Sequence, residues 1–209
     1  MPGLLRKISL NQAVNDSYFQ QKLDSEELLN LQKQYPDYPV YHVEIDFGEH
    51  HFNYFNGKKN RRGEVVVLLQ NLQDRYLLHT KPQFPNSIYR LLSGGIRYNE
   101  SLDSGLAREV FEETGFHFTR SKFIGLVLYR FIFGRLSMPF ISYLFTVNGI
   151  NGEPSAQDKS ENISGFKWVE KHELGQVYRQ LLTVPEEWKD WGLLRAIPHK
   201  IFYENYVNK

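Results

Sequence analysis

The chain has 209 residues, with 25 Lys+Arg against 24 Asp+Glu and a formal net charge of +1. Hydrophobic residues at 41% and charged residues at 23% are ordinary globular usage, which excludes a disordered chain and suits one domain with an extension. The absence of Cys excludes disulfide frameworks, thiolate metal sites and cysteine nucleophiles, and the near-neutral balance gives no basis for broad DNA binding.

Residues 1–37 read as a helical lead-in, with Asp24-Ser25-Glu26-Glu27 capping a helix whose apolar positions are Leu28, Leu29 and Leu31. Val40 to Phe47 alternates like a strand. His51 to Phe55 is its expected hairpin partner, through Gly48-Glu49. Asn56 to Gly63, with Lys58, Lys59, Arg61 and Arg62, reads as an exposed basic loop. Glu64 to Gln70 is a buried strand, and Tyr76 to Thr80 returns after a turn. A loop with two prolines follows from Lys81 to Ser87, then a short strand from Tyr89 to Leu92. Gly94-Gly95 opens a further loop. A helix from Leu102 to Thr114 stops at Gly115. Phe123 to Phe133 and Met138 to Val147 are two long strands around Gly134, and Phe166 to Val169 is the last strand. From Glu170 onward the pattern is helical, with breaks at Pro185 and Pro198. Strands and helices mix without regular alternation, so the expected class is α+β with a mixed sheet. The segment Met1 to Lys7 lacks the continuous apolar core of a secretory signal. The longest apolar stretch, Phe123 to Phe133, is interrupted by Arg130 and too short to span a bilayer. A cytoplasmic protein without membrane contact is the expectation.

One segment carries chemistry: Gly94, Glu100, Arg108-Glu109-Val110-Phe111-Glu112-Glu113 and Gly115-Phe116. Each helical residue advances about 100°, so Glu109, Glu112 and Glu113 fall at about 0°, 300° and 40° and share one face. Leu106, Val110, Thr114, Ala107 and Phe111 cover the neighbouring arc and are expected to meet the core. The acids then sit at the edge of that stripe. Like charges held this close repel, and a cation relieves the repulsion. Oxygen donors without thiolates favour Mg²⁺ or Mn²⁺. Residues 94–116 hold five acids against two bases, a local −3 in a neutral chain. Gly94 and Gly95 are expected to adopt backbone geometries closed to other residues, and Asn99 tolerates the left-handed region.

This segment resembles the Nudix box, Gly-x5-Glu-x7-Arg-Glu-apolar-x-Glu-Glu-x-Gly-apolar, at every defined position. Such a match arises by chance with a probability of roughly 10⁻⁹ per starting point. The resemblance implies a Nudix-type α/β/α sandwich over residues 61–209, with C-terminal helices; residues 1–60, read above as a helical and hairpin extension, carry no family signal. It implies that Glu109, Glu112 and Glu113 bind metal with the carbonyl of Ser93, and that Arg108 and Glu100 buttress them. A further downstream acid, Glu161 or Asp158, serves as ligand or base. Glu112, Glu113, Arg108, Glu100 and Glu161 are thus the implied catalytic set. Arg97, Tyr98 and Arg90 are the candidates for substrate contact, with Phe84 in the neighbouring loop a candidate cover for a base.

The implied reaction is metal-dependent hydrolysis of a phosphoanhydride bond in a small nucleoside-diphosphate derivative. Two alternatives are a non-catalytic nucleotide-sensing module and an RNA 5′-end pyrophosphohydrolase supported by the Lys58–Arg62 run, which reads more simply as a solvated loop. Trp188 and Trp191 read as core. The extended hairpin over residues 40–56 suggests a homodimer through strand pairing.

Overall fold

A computed structural model describes residues 5–207. The first four residues of the lead-in, and with them most of the Met1–Lys7 segment, lie outside the described residues. One eight-stranded mixed sheet organises the chain, in the order β1-β2-β6-β7-β3-β4-β8, with β5 pairing β3. These strands are β1 (Arg6–Ile8), β2 (Val40–Asp46), β3 (Arg61–Asn71), β4 (Tyr76–Thr80), β5 (Leu92–Arg97), β6 (Lys122–Phe133), β7 (Leu136–Ile150) and β8 (Gly165–Val169). β2 runs parallel to β6, and β3 parallel to β7. β3 carries β7 along one edge. Its other edge holds β5 over Arg61–Val67 and meets β4 at Gln70.

Period-two alternation sends Val65, Val67 and Leu69 to one face of β3, and Val66 and Leu68 to the other. Helices must therefore cover both faces. On the first lie α1 (Leu10–Asn15), α2 (Ser17–Gln20), α3 (Ser25–Gln34) and α5 (Leu102–Thr114), packed through Ala13, Phe19, Leu28, Leu106 and Val110. On the second lie α4 (Glu49–Asn56), α6 (Lys171–Leu181) and α7 (Lys189–Phe202), packed through Phe52, Leu174, Leu194 and Ile201. The result is the expected α/β/α sandwich. Among the described residues, no helix is long and apolar enough to cross a membrane.

Helix α5 has the bounds its caps dictate. Ser101 Oγ accepts from Ser104 N, and Gly115 closes the helix at φ 74°. Asp24 caps α3 by accepting from the Glu26 and Glu27 amides. Other expectations need correction. His51–Phe55 is helical, because Phe52 and Phe55 turn together onto the β6 and β7 aromatics while Asp190 holds the helix start, accepting from Gly48 N at 2.8 Å and pairing with His51 Nδ1 at 2.7 Å. The hairpin behind the dimer expectation is therefore absent, and β2 lies inside the sheet between β1 and β6. The strand expected at Tyr89–Leu92 begins at Leu92 and continues through both glycines to Arg97. Pro198 does not break α7, since the turns around it are held by buried Leu194, Ile197, Ile201 and Phe202. Asn99 is not left-handed; among the described non-glycine residues that conformation belongs to Asp74, Asn86, Ser87 and Asn162.

Candidate active site

The site lies where α5 crosses β5. On α5, Glu109 is 4% exposed and Glu113 1%. On the wheel Glu113 falls between Leu102 and Leu106 and Glu109 lies next to Leu102, and both acids are as buried as the apolar stripe itself. Ala107 and Phe111, expected to meet the core, point outward, and Phe111 stacks on His117 at 4.7 Å.

Gly94 and Gly95 answer a need for space. They are strand residues paired with Val65 and Glu64, and neither has a positive φ. A Cβ on Gly94 would stand 1.7 Å from Glu109 Oε2, and one on Gly95 would stand 2.2 Å from Arg61 Cδ. Side chains on a strand point to alternate faces. The two glycines thus admit the buried carboxylate on one side and the Arg61 guanidinium on the other.

Arg108 gathers the acids. Its Nη2 donates to Glu100 Oε1 at 2.5 Å and to the Gly95 carbonyl at 2.9 Å, and its Nε to Glu100 Oε2 at 3.1 Å. Its Nη1 donates to Glu109 Oε1 at 2.7 Å and to Glu112 Oε2 at 2.9 Å. Glu100 also accepts from Arg97 N at 2.8 Å. Burial raises the Glu100 pKa, but these donors outweigh it and hold the carboxyl below its ordinary value. Burial lifts the Glu109 carboxyl above the usual range, with Arg108 opposing. Glu113 has no such partner. Burial pushes it up to about 8; Arg90 and Lys81 pull it down, while Glu109 and Glu161 push it further up. Its Oε1 is buried without a hydrogen-bond partner. A buried, unpaired carboxylate oxygen beside two more acids is costly unless a cation or proton completes it.

Beside this cluster opens a cleft of about 670 Å³, lined by eight basic and two acidic side chains. Glu161 lies in its wall, and Lys81 Nζ donates to Glu161 Oε2 at 2.7 Å. Asp158 is outside the lining and caps its own turn by accepting from Ser160 N. Ser93 Oγ accepts from Arg90 at 2.9 Å and from Arg195 at 3.1 Å. Arg195 also grips buried Glu64 at 2.9 Å. Arg90 is 5% exposed and lies over the Phe84 ring at 5.0 Å. Burial, with Arg195 beside it, presses the Arg90 guanidinium pKa down. Phe84 is itself core, packed on Trp191 at 5.0 Å, so it is no cover for a base. Tyr98 is 49% exposed at the cleft rim, where its hydroxyl accepts from Lys22 Nζ at 2.8 Å. Arg97 is exposed and outside the lining.

The basic segment read as a solvated loop belongs largely to this wall. Lys58, Lys59 and Arg61 line the cleft, and Arg62 is buried in a two-pronged pair with Glu27 at 2.8 Å for each prong. Sequence reading missed Glu64, Lys22, Lys81 and Arg195, which come from separate elements and share no motif.

The sequence model of the NUDIX domain matches residues 60–191. The chain belongs to the NUDIX family and is a Nudix hydrolase. Among solved structures it is similar to the dihydroneopterin triphosphate pyrophosphohydrolase of E. coli, with 12% identity over 72% of this chain and 98% of that one, and a TM-score of 0.50. It is also similar to the NUDIX domain of Shewanella oneidensis NrtR complexed with ADP ribose, with 16% identity, 74% and 99% coverage, and a TM-score of 0.46. A third similar structure is MutT protein from Methanosarcina mazei Go1, with 20% identity, 75% and 95% coverage, and a TM-score of 0.42. At such identities, the likeness to the E. coli enzyme shows the shared fold. No curated protein matches the chain.

Proposed function

We propose that this Nudix hydrolase cleaves a phosphoanhydride bond in a nucleoside-diphosphate derivative with Mg²⁺ or Mn²⁺ bound at the α5 carboxylates. The observation that carries the reading is Glu113, a fully buried carboxyl with one oxygen unpartnered, in the electrostatic field of Arg90, Lys81, Glu109 and Glu161. Among the described residues, no three acid or imidazole side chains already converge at metal-ligating distance, because Arg108 draws Glu109 and Glu112 to itself. The donor set nonetheless fits a hard cation: all oxygen, one of them orphaned, with room kept for Glu109 by Gly94. Glu109, Glu112, Glu113 and the Ser93 carbonyl are the groups that would hold it. A divalent ion there supplies charge neutralisation and water activation.

The chain's own residues do the rest. Arg108 and Glu100 fix the carboxylates, with the Gly95 carbonyl anchoring Arg108 from the strand. Glu161 accepts the water proton through Oε1, since Lys81 engages Oε2. It is favoured over Asp158 because it faces the cleft. Arg90 and Tyr98 meet the substrate at the floor and rim, whereas Arg97, outside the lining, drops out of the contact set. The test is Glu113→Gln and Glu112→Gln, assayed by phosphate release from a panel of nucleotide derivatives after phosphatase coupling. Both variants should fold and lose at least 10³-fold in kcat. In EDTA at pH 8, Glu113→Gln should melt above the wild type, because it removes a buried carboxyl whose ionisation opposes folding. Turnover at the wild-type level would remove these residues from the mechanism.

A further inference from the structure

The carboxylates of α5 are braced from outside the segment that matches the family. Alternation along β3 sends Val65 to the face that α5 covers and Glu64 to the other, where Arg195 of α7 holds it. Arg62, two residues before Glu64, would share its face. The register with β5 shifts between Arg61 and Gly63, and Arg62 turns instead onto α3. There Glu27, in the first turn of α3, accepts both prongs of the guanidinium at 2.8 Å each. The two side chains are only 7% and 16% exposed.

From this position Arg62 reaches the loop between β5 and α5, where its Nη2 donates to the Glu100 carbonyl at 3.4 Å. The carboxylate of the same Glu100 clamps Arg108, and Arg108 in turn holds Glu109 and Glu112. A second tie runs alongside. Lys22 Nζ, between α2 and α3, donates to the Arg61 carbonyl and to the Tyr98 hydroxyl, each at 2.8 Å. A hollow of about 800 Å³ lies between α3 and the loop, with Tyr98, Asn99, Glu100 and Ser101 on the loop side. These residues carry polar groups, so hydrogen bonds rather than apolar packing fix this side of the loop.

Resting on the reading of the α5 carboxylates given above, we propose that Glu27 is a positioning residue for hydrolysis: through Arg62 it fixes the Glu100 loop, and with it the Arg108 clamp. Glu27 lies outside the cleft lining and touches no substrate. It also precedes residue 60, where the family match begins, so the extension is part of the catalytic apparatus. A shift of about 1 Å set off far from the chemistry costs about 10²-fold in rate, which is the scale on which such a brace acts.

The test compares the full chain with Glu27→Gln, which keeps the shape and removes the charge, and with Glu27→Gln/Arg62→Met, which removes the pair without stranding a buried charge. Amide hydrogen exchange read by mass spectrometry, in EDTA and without substrate, reports on the loop directly. Over residues 97–101 both variants should exchange at least tenfold faster than the wild type, while residues 106–113 of α5 keep the wild-type rate. With Mg²⁺ and the best nucleotide derivative, kcat should fall at least tenfold and KM should change less than twofold. If Glu27→Gln alone does not fold, the double variant carries the same readings. A pair that serves stability alone behaves otherwise: exchange rises across β3 and α5 together, and the double variant regains wild-type kcat once no charge is stranded. Either of those results, or wild-type exchange over the loop, would overturn the proposal. If Glu112→Gln and Glu113→Gln keep wild-type turnover, the carboxylate reading fails instead, and loop exchange, measured without metal or substrate, still decides whether Glu27 holds the loop.

Discussion

Gly94→Ala isolates the contact between strand and carboxylate. The added Cβ would lie 1.7 Å from Glu109 Oε2, 1.9 Å from Cδ and 2.4 Å from Cγ, whereas ordinary contact begins near 3.4 Å. Glu109 must therefore retreat by about 1.7 Å, or β5 must lift off α5. The side chain is buried and tied to Arg108 at 2.7 Å, so retreat breaks a charge-assisted bond worth about 1.5–3 kcal/mol. Overpacking adds about 1–3 kcal/mol. A net loss of about 3 kcal/mol lowers Tm by roughly 6–12 °C in a chain of this size. Misplacing a reacting group by more than 1 Å costs about 10²-fold in rate. Calorimetric melting with and without Mg²⁺, beside kcat/KM on the best substrate, reads both effects. Gly95→Ala is the control. Its Cβ meets the Arg61 side chain, which swings aside more readily than a buried carboxyl, so its Tm should fall less. A Gly94→Ala protein that melts with the wild type and turns over at the wild-type rate would refute the claim that this glycine is there to seat Glu109.

Two further outcomes are expected. Arg62→Ala strands the Glu27 carboxylate in a largely buried setting and should cost about 3–5 kcal/mol in urea unfolding; Arg62→Lys should recover little, because a lysine cannot form the two-pronged contact. His199 accepts from Leu91 N at 3.0 Å, and burial, helped by the Arg90 charge facing it, depresses its pKa to about 3. The unfolded chain takes this proton near pH 6.5 and the folded one does not, so its contribution is complete above that pH and declines as pH falls toward 3. At pH 5 the loss is about 2 kcal/mol. Because the raised Glu109 and Glu113 act in the opposite sense, the measurement is the wild-type minus His199→Gln difference in unfolding free energy. That difference should fall by about 2 kcal/mol from pH 7 to pH 5, and a flat difference would rule out a buried neutral imidazole.

Legibility in the sequence followed the range of the interactions. The α5 bounds were readable because Ser101 and Gly115 act within one turn. The β3–β4 hairpin was readable because its alternation and turn are local. Depth on the α5 wheel is also written in the sequence. Leu102 and Leu106 fall at about 20° and 60°, on either side of Glu113 at about 40°, which already puts that acid inside the apolar arc. By contrast, α4 depends on Asp190, more than 130 residues away, and no local pattern reports that clasp. The glycine pair was legible as a motif but not in its cause. Conformational freedom and missing volume leave the same letter in a sequence, and only the neighbour opposite decides between them. The cleft was least legible, since its cations arrive from the α2–α3 and α4–β3 connections, β3, the β4–β5 connection and α7 without sharing a period.

Arg195 comes from α7, beyond the segment that matches the family, yet it holds Glu64 and Ser93 beneath the cleft. A chain still emerging from the ribosome will have made every carboxylate of α5 before the arginine that braces this floor exists. Activity should therefore switch on only when the last helix docks, and a fragment trimmed to residues 60–191 would leave Glu64 buried beside a missing counter-ion.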